Sequence, residues 1–348
     1  MMGLFDSSEG EIFKNEEVFS PEYLPNEIIH RDKEVKEIAY FIKGVLKGNP
    51  ANVFLHGPTG SGKTSCAKYV LKELEEYSGK VKNIYINCWH YSTRYSILSQ
   101  IAYSLDQFVP RRGLAPDQLI EIIIEYGKKE GKIPVIILDE VDTLCKKKEE
   151  GVLYDLLRIG ESLGGKVSCI LITNDYGIVM KLDQRIKSSF VQRSIQFVPY
   201  RPSELRDILN ERARAGLFPE SYDEEIVGAC AGFGARNKGD ARIAVRLLWN
   251  SAKEAEKESR KKIEIEDVEK AKKQVLVEKE GERKEKLNDN DNEILENISS
   301  EWVESSELYN KLNLDKRKIR ISMETLEKLG FIESKIDRNT GSKSVRKL

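Results

Sequence analysis

The sequence predicts three units in series: an α/β domain around a parallel sheet, a small α-helical domain, and a C-terminal winged helix. Three observations predict this. The stretch Gly57-Pro58-Thr59-Gly60-Ser61-Gly62-Lys63-Thr64 fits G-x-x-x-x-G-K-[ST] and lies between a strand pattern and a helix pattern. Val135-Ile136-Ile137-Leu138 is continuously apolar and ends in Asp139-Glu140, as a strand buried on both faces of a parallel sheet does. After Tyr200 the strand patterns stop and amphipathic helices follow, until a last block closes on two strand patterns around Arg338–Lys343.

The whole-chain quantities bound the reading. A chain of 348 residues suggests two or three domains. The apolar fraction is an ordinary 40% and the charged fraction a high 33%. No apolar run approaches the ~20 residues of a membrane span. Asp6, Glu9 and Glu11 break the basic-then-apolar pattern of a signal peptide, so a cytoplasmic protein without a membrane partner is expected. The five cysteines, Cys66, Cys88, Cys145, Cys169 and Cys230, are scattered, which favours free thiols over disulfides or a zinc site. With a net charge of −1, nucleic-acid binding has to come from a local patch.

In a phosphate-binding loop the glycines let the backbone turn its N–H groups inward around an anion. Lys63 then reaches the outer phosphates, the Thr64 hydroxyl ligates Mg²⁺, and the helix that follows presents its positive end. Asn52–His56 supplies the strand before the loop. Thr64–Tyr77 supplies the helix after it, with Cys66, Ala67, Val70, Leu71 and Leu74 on one face. Asp139 is placed to hold Mg²⁺, directly or through water, and Glu140 to orient and polarise an attacking water. The ligand implied is ATP or ADP with Mg²⁺.

The remaining elements follow in order. Residues 1–19 read as a mobile arm and 20–199 as the nucleotide domain. Pro21–Arg31 leads into a helix over 32–47 and is placed to wrap an adenine. Strands are expected at 81–88, 167–172 and 194–198, and helices at 92–105, 116–129 and 181–190. Asn174 follows the fourth strand, where a polar side chain meets the γ-phosphate. Arg111 and Arg112 stand in an exposed Pro/Gly loop and can meet phosphates. The helical domain spans 200–277, with Ser203 and Asp240 as N-caps. A charged linker covers 278–288, and three helices and a hairpin fill 289–348. From Asp315 to the end there are ten basic and five acidic residues, the local patch that the net charge requires.

Taken together, these motifs resemble those of the AAA+ family of archaeal replication initiators, relatives of the origin recognition complex. The resemblance runs from about residue 20 to the end. It rests on Pro25-Asn26-Glu27-Ile28-Ile29-His30-Arg31, Gly57–Thr64, Asp139-Glu140-Val141-Asp142, Ile172-Thr173-Asn174, Arg185–Phe190 and Gly239-Asp240-Ala241-Arg242, with the winged helix after them. It implies an α/β AAA+ P-loop domain with an α-helical lid. It implies that Asn174 is sensor 1 and Arg242 sensor 2, and that Tyr200 and Arg212 contact nucleotide at the base of the lid. It places Arg111 and Arg112 in a DNA-touching insertion, Lys316, Arg317 and Arg320 on or near a recognition helix, and Arg338 and Lys343 on the wing. The implied partners are double-stranded origin DNA, the replicative minichromosome-maintenance helicase and other initiator paralogues, at the nucleoid.

One position departs from the pattern. Relatives that hydrolyse ATP in rings carry an arginine where this chain has Ser189. Without that arginine a factor of ~10³–10⁵ in rate is missing, so slow turnover and a switch-like use of ATP are expected. A clamp-loader-like motor fits poorly for the same reason. The alternative from another class is a regulatory or signalling AAA+ ATPase whose winged helix contacts protein; the near-neutral charge favours it, and the insertion arginines and basic wing disfavour it.

Overall fold

The structure is a computed structural model that describes residues 12–49, 51–105, 113–180, 182–284, 287–312, 314–336 and 343–347. It divides into two compact units, Met1–Glu269 and Lys270–Leu348.

The first unit is built on five strands: β1 (Val53–His56), β2 (Val81–Asn87), β3 (Ile133–Asp139), β4 (Ser168–Thr173) and β5 (Ser194–Gln196). Their order is β2-β3-β4-β1-β5, and every pair is parallel. The buried strands alternate between two cores, as a period of two requires. Val135 and Ile137 of β3 face the core under α1 (Asp32–Ile42) and α2 (Lys63–Tyr77). Ile136 and Leu138 face the core under α3 (Arg94–Ser104), α4 (Pro116–Glu130) and α6 (Gly151–Ser162). Each such side chain contributes about 1.5–3 kcal/mol by leaving water.

Register sets the site. His56 pairs with Thr173 and Asn87 with Asp139, so the strand ends line one edge of the sheet. In an open parallel sheet this carboxyl edge is where ligands bind.

Between β3 and β4 lie α5 (Asp142–Lys147) and α6, which the sequence reading did not place. The short α7 (Tyr176–Val179) was also missed, while α8 (Gln184–Phe190) starts three residues later than expected, behind an Asp183 cap. The helix expected over 32–47 is α only to Ile42 and then tightens into a 3₁₀ segment, Lys43–Lys47. The five cysteines are free, four of them buried.

The helical part of this unit comprises α9 (Pro202–Gly216), α10 (Glu224–Arg236) and α11 (Ala241–Lys257). Asp240 caps α11 through the amides of Arg242 and Ile243, as expected. Ser203 does not cap α9. Pro202 takes the first helical position, and Glu204 returns to the Arg201 amide at 2.7 Å. Ahead of the sheet, residues 12–19 differ from the expected mobile arm. Ile12, Val18 and Phe19 are buried, the amides of Lys14 and Asn15 donate to the Gly216 carbonyl, and Trp249 Nε1 donates to Glu16 at 2.9 Å. Four apolar residues, Ile12, Phe13, Val18 and Phe19, dock this segment on α9 and α11, with the Phe13 ring edge-on to Phe19.

The helix α12 (Ile265–Lys284) runs through most of the expected linker, 278–288. Its Glu/Lys composition is helix-favouring, and Lys284 pairs with Glu280 one turn back at 2.8 Å. The compact units also divide at residue 269/270 rather than 277/278.

The second unit holds α13 (Asp289–Glu296), β6 (Val303–Glu304), α14 (Ser305–Lys311), α15 (Lys316–Leu329), β7 (Ile332–Ile336) and β8 (Lys343–Lys347). The three strands form an antiparallel sheet in the order β6-β8-β7. Ile294, Leu308, Ile319, Met323, Leu326 and Val345 form its core. Gly330, at φ 76°, ends α15 in the left-handed conformation that glycine tolerates.

Candidate nucleotide-binding site

The loop from Gly57 to Thr64 leaves β1 and enters α2. Five of its carbonyls are already engaged. Gly57 O and Pro58 O accept from Lys63 Nζ at 2.9 and 2.7 Å, Gly60 O from the Ala241 amide at 3.2 Å, Ser61 O from Arg31 Nε at 3.0 Å, and Gly62 O from the Cys66 amide at 2.9 Å. With these acceptors engaged, the loop has amide donors left for a ligand, and this suits a phosphate chain. Gly60 and Gly62 have φ of 74° and 91°.

Lys63 is buried and also donates to Asn174 Oδ1 at 2.9 Å. Burial pulls its ammonium down to about 8; Asp139 opposes that shift, and the positive charge of Arg242 adds to it. An anion beside Lys63 restores the charged form. The Thr64 hydroxyl donates to Asp139 Oδ2 at 2.7 Å, which leaves its lone pairs for a cation. Thr64 and Asp139 therefore fit Mg²⁺ shared with a bound phosphate. Glu140 follows at φ 55°, a left-handed conformation costly for a non-glycine residue, and its amide donates to Asp139 Oδ1 at 2.9 Å. Thr173 Oγ1 donates to the buried Asp142 at 3.0 Å, which ties the ends of β3 and β4 together.

The helical part closes on this loop. A Cβ on Gly60 would sit 1.8 Å from Asp240 Oδ1, and one on Gly62 would sit 2.5 Å from the Tyr200 hydroxyl. The glycines are thus needed for close approach as well as for φ. Arg242 stands on the first turn of α11, exposed, with Nη2 3.6 Å from Asp240 Oδ2. Tyr200 is buried under the loop, and burial pushes its phenol up to about 12.

Arg212 lies farther along α9. Its Nη1 donates to the Val18 carbonyl at 2.6 Å and its guanidinium covers the Tyr23 ring at 4.4 Å, so it holds the segment that leads to Arg31. Burial lowers its pKa.

Sequence reasoning placed Arg31 only at the end of the segment expected to wrap an adenine and gave its side chain no role of its own; it is 3% exposed. It joins Ser61 O to Val198 O, the latter at 2.6 Å, and stacks 3.9 Å above the Tyr200 ring. Its neighbour His30, at φ 59°, pairs with Asp207 of α9 at 2.8 Å. Tyr85 was also missed; its phenol donates to Asp139 Oδ2 at 3.1 Å. A buried arginine has no local sequence signature, and Tyr85 reads as an ordinary strand residue.

Of the residues expected to meet DNA, Arg111, Arg112 and Arg338 lie outside the described residues. Lys316, Arg317 and Arg320 are exposed on α15, with Arg320 paired to Glu324 at 3.2 Å. Lys343 opens β8 and pairs with Glu327 at 3.1 Å. Ser189 is partly buried, and its carbonyl accepts from Asn52 Nδ2 at 3.2 Å.

The sheet order, phosphate loop, acidic strand end and docked helical lid define a P-loop nucleotide-binding protein of the AAA+ type. Comparison with known proteins agrees. A family model described as an AAA domain matches residues 47–177, and one described as a Cdc6 AAA+ ATPase-type lid domain matches residues 206–273. The chain is 38% identical over 267 residues to ORC1-type DNA replication protein 1 of Sulfurisphaera tokodaii, covering 76% of this chain and 67% of that one. It is 37% identical over 278 residues to the protein of the same name from Archaeoglobus fulgidus, covering 78% and 68%. The structure of the Aeropyrum pernix ORC1 protein in complex with DNA superposes with a TM-score of 0.82 at 30% identity, over 97% of this chain and 94% of that one. The Aeropyrum pernix ORC2 protein, solved as ADPNP-ADP complexes, shares the fold at 22% identity and a TM-score of 0.71, over 97% and 94%. The chain belongs to the family of ORC1-type DNA replication proteins.

Proposed function

We propose that this chain is an ATP-dependent replication initiator that binds origin duplex DNA and helps to recruit the replicative minichromosome-maintenance helicase. The observation that carries this reading is the seating of the lid on the phosphate loop. Asp240 meets Gly60, Tyr200 meets Gly62, and the charge of Arg242 is felt at Lys63. Whatever fills the loop bears on the lid, so ATP and ADP act as a conformational switch. Lys63, Asn174 and Arg242 contact the outer phosphates, Thr64 and Asp139 hold Mg²⁺, and Glu140 orients water. Ser189 leaves a neighbouring site without the usual arginine, and hydrolysis is slow.

The second unit acts as a winged helix. Three helices and a hairpin support it, as does the outer face of α15, where Lys316, Arg317, Lys318 and Arg320 are exposed. Phosphate contacts supply affinity, and DNA deformation with a few base contacts supplies specificity. Arg111, Arg112 and Arg338 belong to the same proposal on the resemblance alone.

The experiment is binding to the host's own origin fragment against random duplex of equal length, across salt, with ATP or ADP. Origin preference, a steep salt slope and a loss in Arg338→Ala/Lys343→Ala are the expected outcome. No binding of either duplex at low salt would refute it and favour a regulatory ATPase. The pairing of Lys343 with Glu327, of Arg320 with Glu324 and of Arg346 with Glu333 is the feature that favours that second reading.

A further inference from the structure

Tyr85 lies on β2 opposite Ile137, two residues before Asp139 on the neighbouring strand. Its hydroxyl and that of Thr64 donate to the same oxygen, Asp139 Oδ2, at 3.1 and 2.7 Å. The other oxygen takes the Glu140 amide at 2.9 Å. A carboxylate has about four acceptor sites, and fixed donors fill three of them here. The carboxylate cannot turn without breaking a bond. Lys68, one helical turn beyond Thr64, covers the Tyr85 ring with Nζ 3.9 Å from its centroid. The first turns of α2 therefore hold both donors against the strand end.

We propose that Tyr85 is a positioning residue for the magnesium of the nucleotide site, fixing the Asp139 carboxylate so that its one remaining acceptor position faces a metal-bound water. The proposal rests on the nucleotide reading above. A phenol suits the task because it donates without adding a charge that would repel the cation, and its rigid ring leaves little freedom in where the hydroxyl sits. Without it, Asp139 keeps the bonds to Thr64 and Glu140 but can rock about them. The metal then loses a well-placed acceptor for its water, while the phosphate-binding amides and Lys63 are untouched. The cost falls on metal affinity and spares metal-free nucleotide affinity.

The test uses the full chain and Tyr85→Phe, which keeps the ring and the Lys68 contact. Affinity for a fluorescent non-hydrolysable ATP analogue is measured in EDTA and across a Mg²⁺ titration, with Mn²⁺ binding followed by electron paramagnetic resonance. The expected result is unchanged affinity in EDTA and a metal half-saturation raised about tenfold, the usual effect of losing a partner of a metal-site carboxylate. A Tyr85→Phe metal curve that superimposes on wild type overturns the proposal, as does an equal loss with and without metal, which would make Tyr85 merely structural. Thr64→Ala separates the two levels. If it leaves the metal dependence intact, the metal reading of the site itself has failed, whatever Tyr85→Phe does.

Discussion

Arg31→Ala tests the link between loop and lid. Arg31 is 3% exposed, and its guanidinium donates to two backbone carbonyls, Ser61 O at 3.0 Å and Val198 O at 2.6 Å. A hydrogen bond from a charged donor is worth about 1.5–3 kcal/mol, and the truncation leaves both carbonyls without that donor. Its stacking at 3.9 Å on Tyr200 adds about 0.5–2 kcal/mol. Burying a cation carries a desolvation cost that the alanine relieves, so the net loss is taken at the low end, about 3 kcal/mol. In a unit of this size that lowers the unfolding temperature by about 6–12 °C. The site suffers as well, because Ser61 loses its anchor, and nucleotide affinity falls by about tenfold for each 1.4 kcal/mol of loop ordering lost. The assay is thermal unfolding followed by circular dichroism, with an ADP titration of the folded protein. Arg31→Lys keeps the charge but not the fork and falls between the two. An Arg31→Ala protein that melts within about 2 °C of wild type and binds ADP normally would refute the reasoning, since the structure then assigns energy to contacts that carry none.

Two further predictions concern the same loop. Gly60→Ala places a Cβ 1.8 Å from Asp240 Oδ1 and 2.9 Å from its Cα, at φ 74°; the protein folds, but ADP binding in calorimetry weakens at least about tenfold because the lid must lift from the loop. Burial holds Lys63 near 8, below the ordinary ~10.4 of a lysine. The sign follows from that direction. The buried charge costs stability below about pH 8, and the cost is relieved as pH rises from there toward the unfolded value. A bound phosphate raises the lysine again, so ADP binding near pH 8, where the ADP phosphates are already ionised, takes up a fraction of a proton. Calorimetry in buffers of different ionisation enthalpy reads this directly, and buffer-independent heat at pH 8 would count against it.

The sheet was legible in the sequence because its strands carry the strongest patterns. Val135–Leu138 is apolar without a break, and the structure shows why, with alternate residues feeding two separate cores. The gathering of Lys63, Thr64 and Asp139 at the strand ends was legible because a residue type and a spacing are both demanded there. What could not be read depends on contacts between distant segments. Arg31 gains its role from Ser61, Val198 and Tyr200, and Tyr85 gains its role from a register with β3 that no local window contains. The segment 12–19 looked mobile because it was read with the polar residues that precede it, yet its four apolar side chains, Ile12, Phe13, Val18 and Phe19, pack against the helical part. The 278–284 stretch, charged and without apolar periodicity, read as a linker or the frayed end of a helix, and the second of these is what Glu and Lys, which propagate a helix, produce here.

The phosphate loop of this chain has two surfaces, and both constrain its glycines. The inner surface offers amides to an anion, and the usual account of the motif ends there. The outer surface is a docking face, where Asp240 of the α11 cap, the Tyr200 ring and Arg31 touch Gly60, Gly62 and Ser61. A loop anchored in this way cannot adjust to a ligand alone. Any shift of Gly60 moves the residue that caps α11, and Arg242 rides on the first turn of that helix. Arg242 and the loop are then two ends of one short path through Asp240. In the switch proposed above, this arrangement would let the state of the bound phosphates be read at the lid without fast hydrolysis, the regime expected from Ser189.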